Sequence, residues 1–285
     1  MKKKIIGIIG GGNMGEAFIK GLVEKKLFLS SNVLVCEADE KRARYLKDKY
    51  RVQTGDLLKV STQSSTLILA VKPQDIENVL VGADFMSARL SGGHKVRPYN
   101  KIHVSNKLFI SIAAGLTTSF FEKHLNGQAR VVRAMPNMPA LIGEGMTGVC
   151  QGRFASLADM KEALRVLSAV GKVVEVSEKY MDAVTAVSGS GPAYVFLFVE
   201  AWIKAAQALG FNDKQAQDLV YETLCGSAHL LKETHFSAGE LRAKVTSKKG
   251  TTEAAMKVLL AGNKFSHMMT RALTAAQKRA GELAR

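Results

Sequence analysis

The sequence predicts a doubly wound parallel α/β fold followed by an all-helical region. Short apolar runs alternate with helical patterns from residue 4 to about residue 177, as a sheet covered by helices on both faces requires. A glycine-rich turn follows the first of these runs. After residue 178 the β-type runs disappear and helical periodicity takes over. We therefore predict two domains, over residues 1–177 and 178–285.

The first predicted strand, residues 4–9, leads directly into a Gly-x-Gly-x-x-Gly turn. This context is typical of Rossmann-type domains, in which the start of the following helix faces a pyrophosphate. The glycines would allow a tight turn, a close approach of the backbone to phosphate, and close packing of helix on strand. Glycine-rich turns also serve packing alone, so both readings stay open here. The predicted dinucleotide-binding residues are Gly10, Gly12, Asn13, Met14 and Gly15.

The second predicted strand, residues 32–36, ends at Glu37, 22 residues beyond Gly15. An acidic residue about 20 residues after the glycine turn accepts hydrogen bonds from the ribose hydroxyls in this fold. Its charge would repel a 2′-phosphate, so NADH is favoured slightly over NADPH. Three cations follow closely and either contact a 2′-phosphate or form a solvated helix face: Lys41, Arg42 and Arg44.

Further strands are predicted at residues 66–71, 108–113, 130–134, 146–150 and 172–176. Between the third and fourth strands lies a polar, basic stretch, residues 82–107, which predicts a long surface loop.

The helical region begins with a helix, residues 192–209, that is apolar around most of its circumference. Such a helix is buried on several sides. A membrane span needs about 20 apolar residues without charges, and Glu200 and Lys204 interrupt this run. A domain of about 100 residues can hardly enclose such a helix alone. We therefore predict a homodimer with interlocked helices, with a ring of dimers as a possible larger assembly.

Composition narrows the class of protein. The 285 residues are 47% hydrophobic and carry a net charge of +15, which attracts anions. The basic residues are spread along the chain without a recognition motif, so we expect a small anionic ligand rather than nucleic acid. The three widely separated cysteines predict neither a disulfide framework nor a zinc site. We expect a cytoplasmic, metal-free protein without a membrane anchor.

Three further segments carry a family resemblance. They are Ala-Val-Lys-Pro-Gln at 70–74, Met-Pro-Asn-Met-Pro-Ala at 135–140 and Ser-Gly-Ser-Gly-Pro-Ala at 188–193. With the glycine turn and the segment 245–252, they resemble the pyrroline-5-carboxylate reductase family from about residue 4 to about residue 273. That family uses NADH or NADPH to reduce the cyclic imine of pyrroline-5-carboxylate to L-proline, the last step of proline biosynthesis.

The resemblance implies which residues contact the dinucleotide. The end of the third predicted strand would lie against it, a segment just after the next strand would line the nicotinamide, and one asparagine would point towards it. A simple helix start is the alternative for Pro73, and a turn that satisfies backbone groups is the alternative for the asparagine. These residues are Ala70, Val71, Lys72, Pro73, Ile112, Ala113, Ala114 and Asn137.

The resemblance also implies a substrate site at the helix that begins near residue 251. Gly250 and Thr251 would supply backbone donors to the substrate carboxylate, and Thr252 would hydrogen-bond the ring nitrogen as the orienting catalytic group. Helix capping is the alternative for either threonine. Glu178 would lie near the nicotinamide and substrate, or would serve as a helix-start carboxylate. A protonated cyclic imine is already electrophilic, so little side-chain chemistry is required.

Some positions depart from the family pattern. Lys248 and Lys249 stand where the family usually has Pro-Gly, and a lysine at a position with positive φ costs about 1 kcal/mol. The two cations could instead strengthen anion binding. Leu57 and Met138 replace a common asparagine and threonine. Two alternatives therefore stay open: a reductase of another imine or a hydroxyacid, and an idle relative that binds dinucleotide and regulates as a dimer.

Overall fold

The structure, a computed structural model, describes residues 4–81, 102–125 and 127–284. Most of the predicted basic loop, residues 82–101, lies outside the described residues.

The strands of the described chain form one eight-stranded sheet in the order β3-β2-β1-β4-β5-β6-β7-β8. All seven predicted strands are present. The eighth, β3, was missed because two residues are too few to show a periodicity. The strands are β1 Ile6–Ile9, β2 Val33–Cys36, β3 Gln53–Thr54, β4 Thr66–Leu69, β5 Leu108–Ser111, β6 Arg130–Met135, β7 Gly145–Gln151 and β8 Gly171–Glu175.

The sequence had predicted a parallel sheet, but the sheet is not parallel throughout. β6 and β7 pair antiparallel, whereas all other neighbours pair parallel. The connection from Met135 to Gly145 is a short helical turn that ends at Gly143 in the left-handed region, with φ 78°. A parallel crossover needs a dozen or more residues, so this connection can only return the chain antiparallel.

Helices cover both faces of the sheet, as predicted for a doubly wound fold. Because side chains alternate along a strand, Ile8 packs into one core cluster with Phe18 and Val166, and Ile9 packs into a second with Phe121. The helices of this part are α1 Asn13–Glu24, α2 Glu40–Tyr50, α3 Leu57–Gln63, α4 Ile76–Val81, α5 Thr118–His124, α6 Leu157–Leu167 and α7 Met181–Val184.

The chain divides into two compact units, Met1–Ser190 with Ala276–Arg285, and Gly191–Ala275. The segment before Ser190 and the chain end both pack in the first unit, and the domain boundary at residues 177 and 178 stays a prediction. Val184 lies where a Cβ on Gly148 would be, and the carbonyl of Leu283 lies 2.9 Å from the Cβ position of Gly115. The remaining helices are α8 Gly191–Ala208, α9 Asp213–Glu233, α10 Ala238–Lys244, α11 Thr251–Leu259 and α12 Lys264–Leu283.

The second unit has almost no core of its own. In residues 191–275, all of which are described, only Ala206, Ala216 and Val220 are buried. Large apolar side chains of α8 are exposed instead, among them Phe196 (57%) and Leu197 (66%). A single chain therefore leaves the apolar surface of α8 uncovered.

By length and composition alone, the helical stretch Glu178–Ala208 could cross a membrane, with a mean hydropathy of 1.2. Core helices of soluble proteins meet the same criterion. Within this stretch Lys204 pairs with Glu200 at 2.6 Å on an exposed surface.

Candidate functional site

The glycine turn joins β1 to α1 in a geometry that only glycine permits at two positions. Gly10 has φ +99°, and a side chain on it would lie 2.6 Å from the carbonyl oxygen of Ala70. A Cβ on Gly15 would lie 2.0 Å from the carbonyl oxygen of Gly10. Packing therefore requires both glycines, as the alternative interpretation of the turn had proposed.

Gly12 differs from these two. A Cβ on Gly12 would meet no atom of the described chain within 4 Å, so packing does not require glycine there. Gly12 begins α1 without a side-chain cap, and the first amides of a helix that lacks such a cap can bind an anion. Asn13 is exposed, and Met14 packs partly against the first core cluster. The turn therefore fits the predicted phosphate of a dinucleotide.

Glu37 follows β2 and is tied to the turn. Its two carboxylate oxygens accept hydrogen bonds from the backbone amides of Gly11 (2.6 Å) and Asp39 (2.9 Å). Each oxygen has a second lone pair, so the carboxylate can still accept from ribose hydroxyls.

Two adjoining cavities lie at the carboxyl ends of β1, β2 and β4, where ligands bind in open α/β sheets. Glu37 and Ala38 line both. The first cavity, about 350 Å³, is also lined by Leu57 and by the buried Cys36, whose pKa is raised to about 12 by burial and by Glu37 and Asp56. The second, about 330 Å³, contains the predicted cofactor residues Gly10, Gly12, Ala70, Val71 and Lys72.

A third cavity of about 320 Å³ lies beside the turn after β5. Pro73 and Ala114, both predicted cofactor residues, line it together with Thr185 and the end of α12 at Leu283. Ala113 is buried, and Ile112 packs against the core, so neither lines this cavity. Sequence reasoning missed Thr185 and Leu283, because their proximity depends on contacts far apart in sequence.

Asn137 makes two hydrogen bonds within the chain. Its side-chain oxygen accepts from the amide of Met146 (2.8 Å), and its nitrogen donates to the carbonyl of Ser188 (3.2 Å). The side chain therefore joins the connection before β7 to the segment 188–193, as expected for an asparagine that satisfies backbone groups. Its predicted contact with the nicotinamide stays a prediction.

Glu178 holds the beginning of α5. Its carboxylate accepts hydrogen bonds from the amide and the hydroxyl of Thr118, both at 2.7 Å, and lies 3.4 Å from Nη1 of the buried Arg133. Arg133 also lies 3.8 Å from Asp182. Helix α5 follows directly on the turn at Ala113 and Ala114, so Glu178 supports that turn. The arginine at position 133, inside the apolar run 131–135, was the available signal for this cluster.

The predicted substrate loop lies in the second unit. Lys249 has φ +60°, so its backbone adopts the left-handed conformation that strains a lysine. Gly250, not a threonine, occupies the cap position of α11, and its amide donates to the carbonyl of Ser247 at 3.1 Å. This amide is therefore not the free donor that the sequence had predicted. In the described chain, the hydroxyls of Thr251 and Thr252 make no hydrogen bond.

The described residues contain no cluster of three histidine, cysteine or carboxylate side chains that could hold a metal ion.

Comparison with known proteins identifies the family. Residues 178–283 match the model for pyrroline-5-carboxylate reductase dimerisation, and residues 5–92 match the model for NADP oxidoreductase, coenzyme F420-dependent. The pyrroline-5-carboxylate reductase of Mycobacterium tuberculosis is 36% identical over 98% of this chain and 96% of its own. The chain belongs to the pyrroline-5-carboxylate reductase family. The Synechocystis member is 38% identical over 98% of this chain and 97% of its own.

Solved structures of pyrroline-5-carboxylate reductases share the whole fold. The structure from Coxiella burnetii has a TM-score of 0.87 at 36% identity and covers both chains fully. The Plasmodium falciparum structure, which contains NADP, has a TM-score of 0.82 at 26% identity, again with full coverage of both chains. The predicted family and its combination of a Rossmann-type domain with a helical dimerisation domain are therefore confirmed.

Proposed function

We propose that this protein reduces the cyclic imine of pyrroline-5-carboxylate to L-proline with a reduced nicotinamide dinucleotide. The observation that carries the proposal is its similarity, over nearly the full length, to reductases of that name. The two alternatives, a different substrate and an idle regulatory dimer, have no support among these relatives.

The residues at the carboxyl end of the sheet fit a dinucleotide. The free amides at the start of α1 and the open position at Gly12 suit a pyrophosphate, and Glu37 at the junction of two cavities suits a ribose. When bound, the cofactor supplies the hydride that the imine carbon accepts. The chain itself contributes binding, orientation and exclusion of water.

The beginning of α11 suits a substrate carboxylate. The amides of Thr251 and Thr252 lie in the first turn of a nine-residue helix, where the helix dipole favours an anion. The hydroxyl of Thr252 makes no hydrogen bond within the described residues, so it is available to the ring nitrogen. We assign it the orienting role, with Gly250 shaping the loop rather than donating a hydrogen bond to the substrate.

Glu37 supports a preference for NADH within the same proposal. A carboxylate fixed by two backbone amides cannot easily withdraw from the ribose, and its negative charge disfavours a 2′-phosphate.

The exposed apolar side chains of α8 support assembly into a homodimer, and a ring of dimers would extend it. An exposed apolar patch of this kind is characteristic of a protein–protein interface. The dimerisation family matched by residues 178–283 supports the same conclusion. We place this enzyme in the cytoplasm, because none of its three cysteines forms a disulfide.

Steady-state oxidation of NADH and NADPH in the presence of pyrroline-5-carboxylate tests the proposal. We expect turnover with pyrroline-5-carboxylate. Oxidation of hydroxyacids with the oxidised cofactor, measured in the reverse direction, should be much slower. Thr252→Ala should lower kcat/KM at least tenfold, whereas Thr252→Ser, which keeps the hydroxyl, should retain most of it. Absence of turnover with both cofactors would refute the proposal.

A further inference from the structure

Arg42 lies in the wall of the second cavity, but its guanidinium is already engaged. Nε donates to the carbonyl oxygen of Gly11 at 2.8 Å, and Nη2 donates to the carboxylate of Glu16. The edge of the guanidinium formed by Nε and Nη2 thus binds other groups of the same chain, and it joins the start of α2 to the glycine turn. A guanidinium binds phosphate best through two parallel N–H groups, and this edge no longer offers them.

Glu16 is held firmly in the position that engages Arg42. Its carboxylate also accepts from Lys49 Nζ at 3.1 Å and from the hydroxyl groups of Tyr50 at 2.7 Å and Tyr45 at 3.2 Å. Burial raises the pKa of Glu16, but the hydrogen bonds from Tyr50, Lys49 and Arg42 outweigh it and lower the pKa to about 2. Glu16 is therefore charged at physiological pH.

The backbone amides beside Glu37 and at the start of α2 are engaged as well, unlike those at the start of α1. Glu37 accepts from the amides of Gly11 and Asp39. Asp39 in turn caps α2 by accepting from the amides of Lys41 at 2.9 Å and Arg42 at 3.2 Å. The start of a helix ordinarily binds an anion through such amides, but here two carboxylates of the chain occupy them. A 2′-phosphate at this position would meet two negative charges and few unused donors.

We propose that Glu16 determines cofactor specificity by holding Arg42 against Gly11, so that the enzyme binds NADH in preference to NADPH. Glu16 is thus a positioning residue that acts through Arg42, while Glu37 is the residue placed against the ribose. The inference rests on the proposed function as a nicotinamide-dependent reductase and extends the preference to a residue outside the cavity wall.

Titration of the purified protein with NADH and with NADPH, followed by cofactor fluorescence, tests the inference without any imine present. In Glu16→Gln the released guanidinium can reach a 2′-phosphate. We expect the Kd for NADPH to fall about tenfold, the size of one charge-assisted hydrogen bond, and the Kd for NADH to change by less than about threefold. Glu16→Ala, which removes the hydrogen-bond acceptor entirely, should also lower the Kd for NADPH.

Glu24→Gln is the matched control. Glu24 is an exposed carboxylate at the end of α1, the helix that also carries Glu16, and it lines neither cavity. The control removes the same charge from the same helix, away from the cofactor, so it should change the Kd for NADPH much less. In Glu16→Gln combined with Arg42→Gln, the gain should disappear.

Several outcomes would overturn the inference. They are an unchanged or weakened affinity for NADPH in both Glu16 variants, an equal gain in Glu24→Gln, and a gain that persists without Arg42. If neither Glu16 variant folds, the unmodified protein decides, because tighter binding of NADPH than of NADH contradicts the inference. Failure of the proposed function is distinguishable, since it would appear as absent turnover and not in these binding constants.

Discussion

The carbonyl oxygen of Gly10 lies 2.0 Å from the point that a Cβ on Gly15 would occupy. The end of β1 and the first turn of α1 are therefore in direct backbone contact, five residues apart in sequence. This contact aims the start of the helix at the second cavity.

The two helix-start glycines should respond differently to alanine. Gly15→Ala should lower the free energy of unfolding by about 2 kcal/mol or more, because the methyl group overlaps backbone. Gly12→Ala should leave stability within about 0.5 kcal/mol, since nothing lies within 4 Å of the added carbon, yet it should weaken dinucleotide binding at least tenfold by blocking the phosphate. Urea unfolding and cofactor titration measure both quantities. Unaltered cofactor affinity in Gly12→Ala would count against a phosphate at this turn.

Lys249→Gly should stabilise the protein by about 0.5–1 kcal/mol. Lys249 has φ +60°, a conformation that costs a side chain about 1–2 kcal/mol and glycine almost nothing, although glycine loses more entropy on folding. Urea unfolding measures the change. Lys248→Gly is the control, because Lys248 has no positive φ and the same loss of charge should then be neutral or destabilising. Equal effects of the two substitutions would show that charge, not backbone strain, decides.

Glu178→Ala should destabilise the protein by about 3 kcal/mol. Arg133, whose side chain is 5% exposed, would keep only the more distant carboxylate of Asp182, and a buried charge without a close partner is costly. The start of α5 would also lose its two hydrogen bonds from Thr118. Chemical unfolding gives the free-energy change, with Glu175→Ala, an exposed site on the edge strand β8, as the control. A loss below about 1 kcal/mol would mean that the cluster contributes little.

The stability conferred by Glu16 should depend on pH. The pKa of Glu16 is about 2 in the folded protein against an ordinary value of 4.5, so its contribution is complete above pH 4.5 and disappears as the pH falls towards 2. A shift of this size corresponds to at most ~3 kcal/mol. The difference in unfolding free energy between the unmodified protein and Glu16→Gln should therefore shrink between pH 5 and pH 3. A constant difference in unfolding free energy over this pH range would contradict the lowered pKa of Glu16.

Phe196→Glu should shift the protein towards monomers. Phe196 is 57% exposed in a single chain, and a charge placed in an apolar interface would have no partner. Sedimentation velocity measures the assembly, and Gln217→Glu, which adds the same charge at an exposed polar position of α9, is the control. A dimer unaffected by Phe196→Glu would place the interface elsewhere.

Local pattern was sufficient for a large part of this protein. Apolar runs located seven strands, because a strand that is buried on both faces of a sheet is apolar along its own short length. The spacing of Gly10, Gly12 and Gly15 located the turn because its geometry depends on adjacent residues. Five ordered segments, from the glycine turn to residues 245–252, together predicted the family.

Other features depend on contacts between distant residues, which local periodicity does not encode. Arg133 and Glu178 are 45 residues apart, and only the sheet and the segment after β8 bring them together. From the sequence alone, Arg42 could equally have contacted a phosphate. The packing of α1 against α2 places Glu16 beside Arg42.

The sequence by itself thus determined the family, the order of the strands along the chain and the position of the glycine turn, since these follow from neighbouring residues. Only the tertiary structure decided the antiparallel direction of β7, the return of α12 to the first unit and the partners of Arg42, Glu178 and Asn137. These depend on which surfaces pack together, and packing joins residues whose distance along the chain carries no local signal.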